Sequence, residues 1–178
     1  HLGESFDMRQ LMAVGGRDAA ATAAVLWPAL KAGMVVPLDE NYKFSLNDAL
    51  LQTARYRFMH DRVQQAAYDL TADDQRLALR LRCGRLLLAG SSDAELQRRL
   101  FTILEHLNSA IGLITDAAER AQLLEMNIRG GMRAKSASAM PTAVGLLRCA
   151  KAMLDANAWQ NAPGQTLLLY KELAEAEY

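Results

Sequence analysis

Apolar residues recur at helical spacing through most of the chain after residue 60, and this feature limits the possible folds more than any other. One such stripe lies on a single predicted helix and consists of Leu96, Leu100, Ile103, Leu107 and Ala110. Steps of three and four residues place side chains on one face of a helix. Because that face must be buried against another element, the pattern predicts helices packed on one another.

Capping residues and helix breakers divide this region into a series of helices with short connections. The residues that mark the predicted helix starts are Thr71 with Asp74, Ser92 with Glu95, Asp116 and Pro141. Short connections between helices of similar length predict antiparallel hairpins. Successive hairpins of about forty residues suggest a superhelix.

Small residues occur where two of the predicted helices would have to touch. Gly131, Ala143, Leu147 and Ala150 fall where a tetratricopeptide-type repeat places its small and apolar contact residues. Gly131 would allow the two helices to approach closely. The segment 71–178 is therefore predicted to be a truncated, tetratricopeptide-like superhelix of helical hairpins.

The first third of the chain mixes helices and strands. Helices are predicted over 7–14 and 18–32, and the second contains Pro28, which should kink it. A strand is predicted over 34–38, and residues 42–44 and 56–58 alternate aromatic and basic side chains as half-buried strands do.

This order of elements predicts a winged-helix-like region with a small β-wing over residues 1–70. Its first helix would be mostly missing, and 45–54 would form the wing loop. The fold class is mainly α. Because both ends fall inside predicted elements, we expect the sequence to be a piece of a longer protein.

Charge and cysteine usage narrow the classes of partner. Twenty basic residues balance twenty acidic ones, whereas a nucleic-acid or anionic-membrane surface usually carries a basic excess. No apolar run approaches the roughly 20 residues that span a bilayer. Cys83 and Cys149 lie far apart in apolar helical contexts, which indicates reduced thiols in a cytoplasmic protein.

Motifs that carry catalysis or bind cofactors are missing from the sequence. It contains no phosphate-binding loop ending in Lys and Ser or Thr, no zinc-ligand spacing and no nucleophile-elbow serine. No catalytic constellation, metal or cofactor is therefore expected within the segment itself.

A winged helix also suggests DNA, and the helix that would enter the groove tests this alternative. Its only charged residues are Asp18 and Lys31, and the segment 19–26 consists of Ala, Thr, Val and Leu. Base readout and phosphate contacts use Arg, Lys, Asn and Gln. The sequence therefore disfavours nucleic acid, although a DNA-binding regulator stays an alternative, as does a plain helical scaffold.

His60 and Asp61 are the candidate site residues. They follow an aromatic strand and open a predicted helix, whose N-terminus offers free N–H groups and a positive dipole end. The imidazole could donate to a phosphate, while Asp61 could orient the ring or cap the helix. The alternative is a capping aspartate beside a histidine packed under the wing.

The segment 56–68, with the sequence Y-R-F-M-H-D-R-V-Q-Q-A-A-Y, resembles a known family motif. It is similar to the region after the ATPase core in bacterial sensor histidine kinases and serine/threonine kinases with a signal-transduction (STAND) ATPase of the AAA type. Further similar stretches are 3–7, 38–42, 100–101, 106–108 and 172–178. Residues 59–61 also resemble the M-H-D motif of plant disease-resistance ATPases, in which the histidine contacts bound ADP.

This resemblance implies a nucleotide-sensing winged helix followed by a protein-binding superhelix. His60 and Asp61 would sense ADP phosphate, and ATP or ADP with Mg²⁺ would belong to an ATPase core elsewhere in the parent chain. The implied partners are that core, other domains of the parent and proteins on the hairpins. A truncated last helix could also form a dimer through exposed apolar residues, namely Leu167, Leu168, Leu169, Leu173 and Ala174.

Overall fold

The computed structural model describes residues 5–43 and 52–178, apart from the side chains of Tyr68 and Asp74. These residues are mainly helical and include a three-stranded antiparallel sheet, so the mainly α class with a small β-wing and helical hairpins is confirmed. The chain divides into two compact units, His1–Ala89 and Gly90–Tyr178.

The sheet of the first unit consists of β1 (Ser5–Asp7), β2 (Val35–Pro37) and β3 (Arg55–Phe58), in the order β1-β3-β2. Phe6 of β1 and Pro37 of β2 both lie opposite Tyr56 in the central strand. Tyr56 is buried, whereas the arginines on either side of it are exposed. The predicted half-buried strand over 56–58 is therefore confirmed.

The strand predicted over 42–44 is wrong for the two residues that the structure describes. Asn41–Lys43 forms a single 3-10 turn instead. The Asp39 carboxylate accepts hydrogen bonds from the backbone N–H of Asn41 at 3.0 Å and of Arg55 at 2.9 Å, which turns the chain here. Phe44 and most of the predicted wing loop, over 44–51, lie outside the described residues.

Two short helices, α1 (Met8–Gly15) and α2 (Ala19–Lys31), connect β1 to β2. Asp7 and Gln10 form a capping box at the start of α1, and Asp18 caps α2 by accepting from the N–H of Ala21 at 2.7 Å. Gly16 ends α1 and Gly33 follows α2, and both have a positive φ, which glycine adopts without strain.

The first unit continues through α3 (Asp61–Asp69) and α4 (Asp73–Ala89), which is beyond the predicted boundary at residue 70. It does so because α4 packs on α1, where the Arg82 guanidinium donates to the Val14 carbonyl at 2.5 Å. The Thr71 hydroxyl donates back to the Ala67 carbonyl at the end of α3. The side chain of Asp74, its partner in the predicted capping box, lies outside the described residues.

The second unit consists of α5 (Asp93–Ser109), α6 (Ala117–Ser136), α7 (Met140–Ala152), α8 (Ala158–Asn161) and α9 (Pro163–Glu177). The predicted Ser92–Glu95 capping box opens α5, and Asp116 caps α6. Helices α6 and α7 pack along each other, and α9 packs on both.

Glycine makes the contact between α6 and α7 close. A Cβ atom added at Gly131 would lie 2.5 Å from Cγ of Leu147, which is fully buried. Ala143 and Ala150 are also fully buried in this core. The prediction that Gly131 allows a close helix approach is confirmed, whereas the tetratricopeptide assignment of the hairpins stays a prediction.

The apolar side of the last helix is covered more completely than the sequence suggested. Leu169 and Leu173 of α9 are buried in the core that includes Leu147, so their predicted exposure is wrong. Leu167 and Leu168 are exposed, as predicted. The helix therefore folds back on the preceding hairpin.

Candidate functional site

His60 lies where the chain leaves the sheet and enters α3. The N–H of Met59 donates to the Met34 carbonyl at 2.9 Å, which extends the hydrogen bonding beside the end of β3. The carbonyl of His60 then accepts from the N–H of Val63 at 3.0 Å. His60 is thus the residue that opens α3, as the sequence predicted.

The side chains of His60 and Asp61 are both exposed. Within residues 5–43 and 52–178, neither side chain makes a hydrogen bond. Most of the predicted wing, over 44–51, lies outside the described residues, so the alternative in which His60 packs under the wing stays a prediction. Among the described residues Asp61 makes no capping bond, and its charge in the first turn interacts favourably with the N-terminus of α3.

Basic side chains lie close to this helix start in the sequence, both on the strand before it and in its first turn. Arg55 and Arg57 alternate with buried residues and share the exposed face of β3, and Arg62 is exposed in the first turn of α3. No ion pair engages these three guanidinium groups in the described part of the chain. Arginine, imidazole and free helix N–H groups are all phosphate donors, so the arrangement suits an anion.

The arginines of β3 were predicted from the sequence only as part of a strand pattern and not as site residues. The strict alternation of residues 55–58 was the signal that could have placed them on one face with the helix start beyond them. His60 and Asp61 were found because they lie between two recognisable elements.

Other reactive side chains occupy structural positions. Cys83 and Cys149 are free thiols, and burial raises the pKa of each, which keeps them protonated and unreactive. His106 is 1% exposed within α5, which agrees with a packing histidine. Among the residues with described positions, no group of three or more His, Cys, Asp and Glu could hold a metal ion.

The face of α2 that would meet DNA in a winged-helix regulator carries apolar side chains. Val25 and Trp27 are about half exposed or more, and Ala20, Ala21 and Ala24 are exposed beside them. The Lys31 ammonium lies 5.6 Å from the centre of the Trp27 ring. This surface has few donors for phosphate or base edges.

Comparison with protein families and solved structures gives no match for this sequence. Across residues 5–43 and 52–178, the helices are too short or too polar to cross a membrane.

One curated protein is similar to part of the chain. It is hybrid signal transduction histidine kinase G from Dictyostelium discoideum, with 32% identity over 100 residues. The alignment covers 48% of this chain but 3% of that kinase, so the chain corresponds to a small part of it. The similarity supports a signal-transduction context for this chain, but it does not show that the chain is part of a STAND ATPase.

Proposed function

We propose that this chain is a regulatory arm of a STAND-type ATPase within a cytoplasmic signal-transduction kinase. In this proposal the first unit senses whether ADP occupies the ATPase core, and the second unit offers its helical hairpins to protein partners. The observation that carries the proposal is the exposed His60 imidazole at the start of α3, two residues after the end of β3.

The exposed imidazole is available to a ligand because no described side chain engages it. ADP bound by the ATPase core would present phosphate oxygens to this helix start. The imidazole and the free N–H groups of the first turn would donate to them, and Arg57 and Arg62 would add positive charge. Mg²⁺ and the catalytic groups would belong to the core.

The energy of one such contact is enough to operate a switch. A hydrogen bond to a charged phosphate is worth about 1.5–3 kcal/mol, which corresponds to roughly ten- to a hundredfold in affinity. A protein whose resting and active states differ by a few kcal/mol would change its dominant state when that contact is lost. The similarity to a signalling histidine kinase supports this kind of regulatory role.

Release of a fluorescent ADP from the full-length protein tests the proposal. His60→Ala should accelerate release by about ten- to a hundredfold. Gln65→Ala is the matched control, because Gln65 is exposed on the same helix, where its amide donates to Asp69 at 2.8 Å. Equal release rates for the two variants would exclude His60 as an ADP contact.

Asp61 separates the sensing role from a structural one. Asp61→Ala should also accelerate ADP release if the carboxylate orients the ring once ADP is bound. In the isolated chain it should cost only about 0.3–1 kcal/mol, because the carboxylate interacts with the helix dipole and makes no capping bond. A large loss of stability for His60→Ala in the isolated chain would instead indicate a packing histidine.

A further inference from the structure

A cleft of about 630 Å³ lies between α2 and the sheet of the first unit. Its walls are mostly apolar and come from Met8, Ala23, Ala24, Leu26 and Leu30, together with aromatic side chains. A volume of this size falls within the range of small-molecule sites, which are typically about 300–1,000 Å³ and apolar. None of the residues of the proposed ADP site lines this cleft.

Aromatic rings give the cleft flat surfaces. Trp27 lines it from α2 and Tyr42 from the 3-10 turn. Trp27 is 52% exposed, so one of the largest apolar side chains of the unit remains available to a ligand. A flat ring system would stack on such walls and would remove apolar surface from water.

A buried tyrosine whose hydroxyl is unpaired among the described residues also lines the cleft. Tyr56 is 1% exposed and lines the cleft, and its hydroxyl forms no hydrogen bond with residues 5–43 or 52–178. Burial, with a contribution from the Asp39 carboxylate, raises the pKa of Tyr56 to about 12, so the hydroxyl keeps its proton at neutral pH. Buried tyrosine hydroxyls usually have a partner, and here the cleft is where an acceptor could come from.

The charge at the rim is already balanced. The Lys43 ammonium, which also lines the cleft, pairs with the Glu40 carboxylate at 2.7 Å and lies 5.8 Å from the centre of the Tyr42 ring. Among its described lining residues, the site therefore offers one neutral donor and little unpaired charge. A neutral ligand fits it better than an anion does.

We propose that this cleft binds a neutral small molecule with a flat aromatic ring system and one hydrogen-bond acceptor, which accepts from the Tyr56 hydroxyl. The ring system would lie between the alkyl side chains of α2 and the aromatic walls. The proposal is independent of ADP sensing, because its residues and its ligand chemistry are different.

The neutral naphthyl ketone prodan is a suitable probe, since its emission shifts to the blue in apolar surroundings and its carbonyl is an acceptor. It should bind the purified chain saturably, with a dissociation constant below about 100 μM. Ala24→Phe should fill the cleft and weaken binding by about tenfold or more. Val25→Phe is the matched control, because it adds the same ring to α2 at a residue that does not line the cleft.

Tyr56→Phe tests the hydrogen bond without removing the ring. It should weaken prodan binding by about three- to tenfold. Binding of dimethylaminonaphthalene, which lacks the ketone, should be the same in both proteins. Equal prodan affinity in Tyr56→Phe, equal loss in Ala24→Phe and Val25→Phe, or no saturable binding would overturn the proposal. A prodan signal that falls as the chain self-associates would overturn it as well, because a second copy would then fill the cleft.

Discussion

The contact between Gly131 and Leu147 makes a quantitative prediction for the second unit. An alanine Cβ at position 131 would lie 2.5 Å from Leu147 Cγ, whereas carbon atoms in contact prefer about 3.5–4.0 Å. One of the two helices or the Leu147 side chain must therefore move by about 1 Å. Overpacking of this kind costs about 1–3 kcal/mol.

Gly145 provides the matched control for Gly131→Ala. It lies in α7 and is exposed, and an added Cβ would have no neighbour within 4 Å. Alanine gains about 0.8–1.0 kcal/mol of helix propensity over glycine at either position. Gly145→Ala should therefore stabilise the unit by up to about 1 kcal/mol. Gly131→Ala should be less stable than Gly145→Ala by about 1–3 kcal/mol.

Urea unfolding followed by tryptophan fluorescence measures this difference. In a Trp27→Phe background, Trp159 reports on the second unit alone, where it stacks on Tyr170 with ring centres 5.6 Å apart. The unfolding midpoints of the two variants should differ by roughly 1 M urea. In a Leu147→Ala background the penalty at position 131 should disappear. Equal midpoints for Gly131→Ala and Gly145→Ala would refute the close helix contact.

Three further predictions concern nucleotide binding, a buried amide pair and acid stability. Calorimetry with MgATP should show no saturable heat for the isolated chain, because its sequence has no phosphate-binding loop; micromolar binding would reveal a site of another kind. Asn127→Asp should lower the free energy of unfolding, measured by urea unfolding, by at least about 2 kcal/mol. The reason is that the buried amide donates to Asn108 at 2.8 Å and to the Leu123 carbonyl at 2.9 Å, whereas an aspartate carboxylate cannot donate. Asn108→Asp changes a less buried position and should cost less. The hydrogen bond from Lys135 lowers the pKa of Glu175 below its ordinary value of 4.5. The stability that this ion pair contributes should therefore be fully present above pH 4.5 and be lost as acid titrates the folded carboxylate. Thermal melts across about pH 3–6 should show that Lys135→Met removes this part of the acid dependence, and an unchanged dependence would contradict the prediction.

Local chemistry made most helices predictable. The capping boxes at Asp7 and Ser92 and the cap at Asp116 depend only on residues within one turn, so the sequence contains the full signal. The approach of Gly131 to Leu147 was predictable because small and apolar residues occupy the positions where two helices of a hairpin would touch.

The elements that were not predicted from the sequence depend on contacts between distant parts of the chain. The strand β1 has only three residues and exists because it pairs with β3 from a distant part of the chain. The strand expected at Tyr42 and Lys43 gave way to a turn because the Asp39 side chain bonds to two backbone amides. The fit of α4 against α1 likewise depends on the tertiary contact of Arg82.

The features of the candidate site likewise divide into those that the sequence predicts and those that depend on tertiary packing. The place of His60 between strand and helix could be predicted, since it depends on neighbouring elements along the chain. Its exposure, the shared face of Arg55 and Arg57 and the cleft beside Tyr56 depend on how the sheet and α2 pack. Composition and periodicity contain no direct signal for these features.

A structure of the full-length protein with ADP bound tests the proposed function most directly. We expect an imidazole nitrogen of His60 to lie within about 2.7–3.2 Å of an ADP phosphate oxygen, with α3 directed N-terminus first toward that phosphate. A bound ADP whose phosphates lie far from α3, with His60 still in solvent, would contradict it.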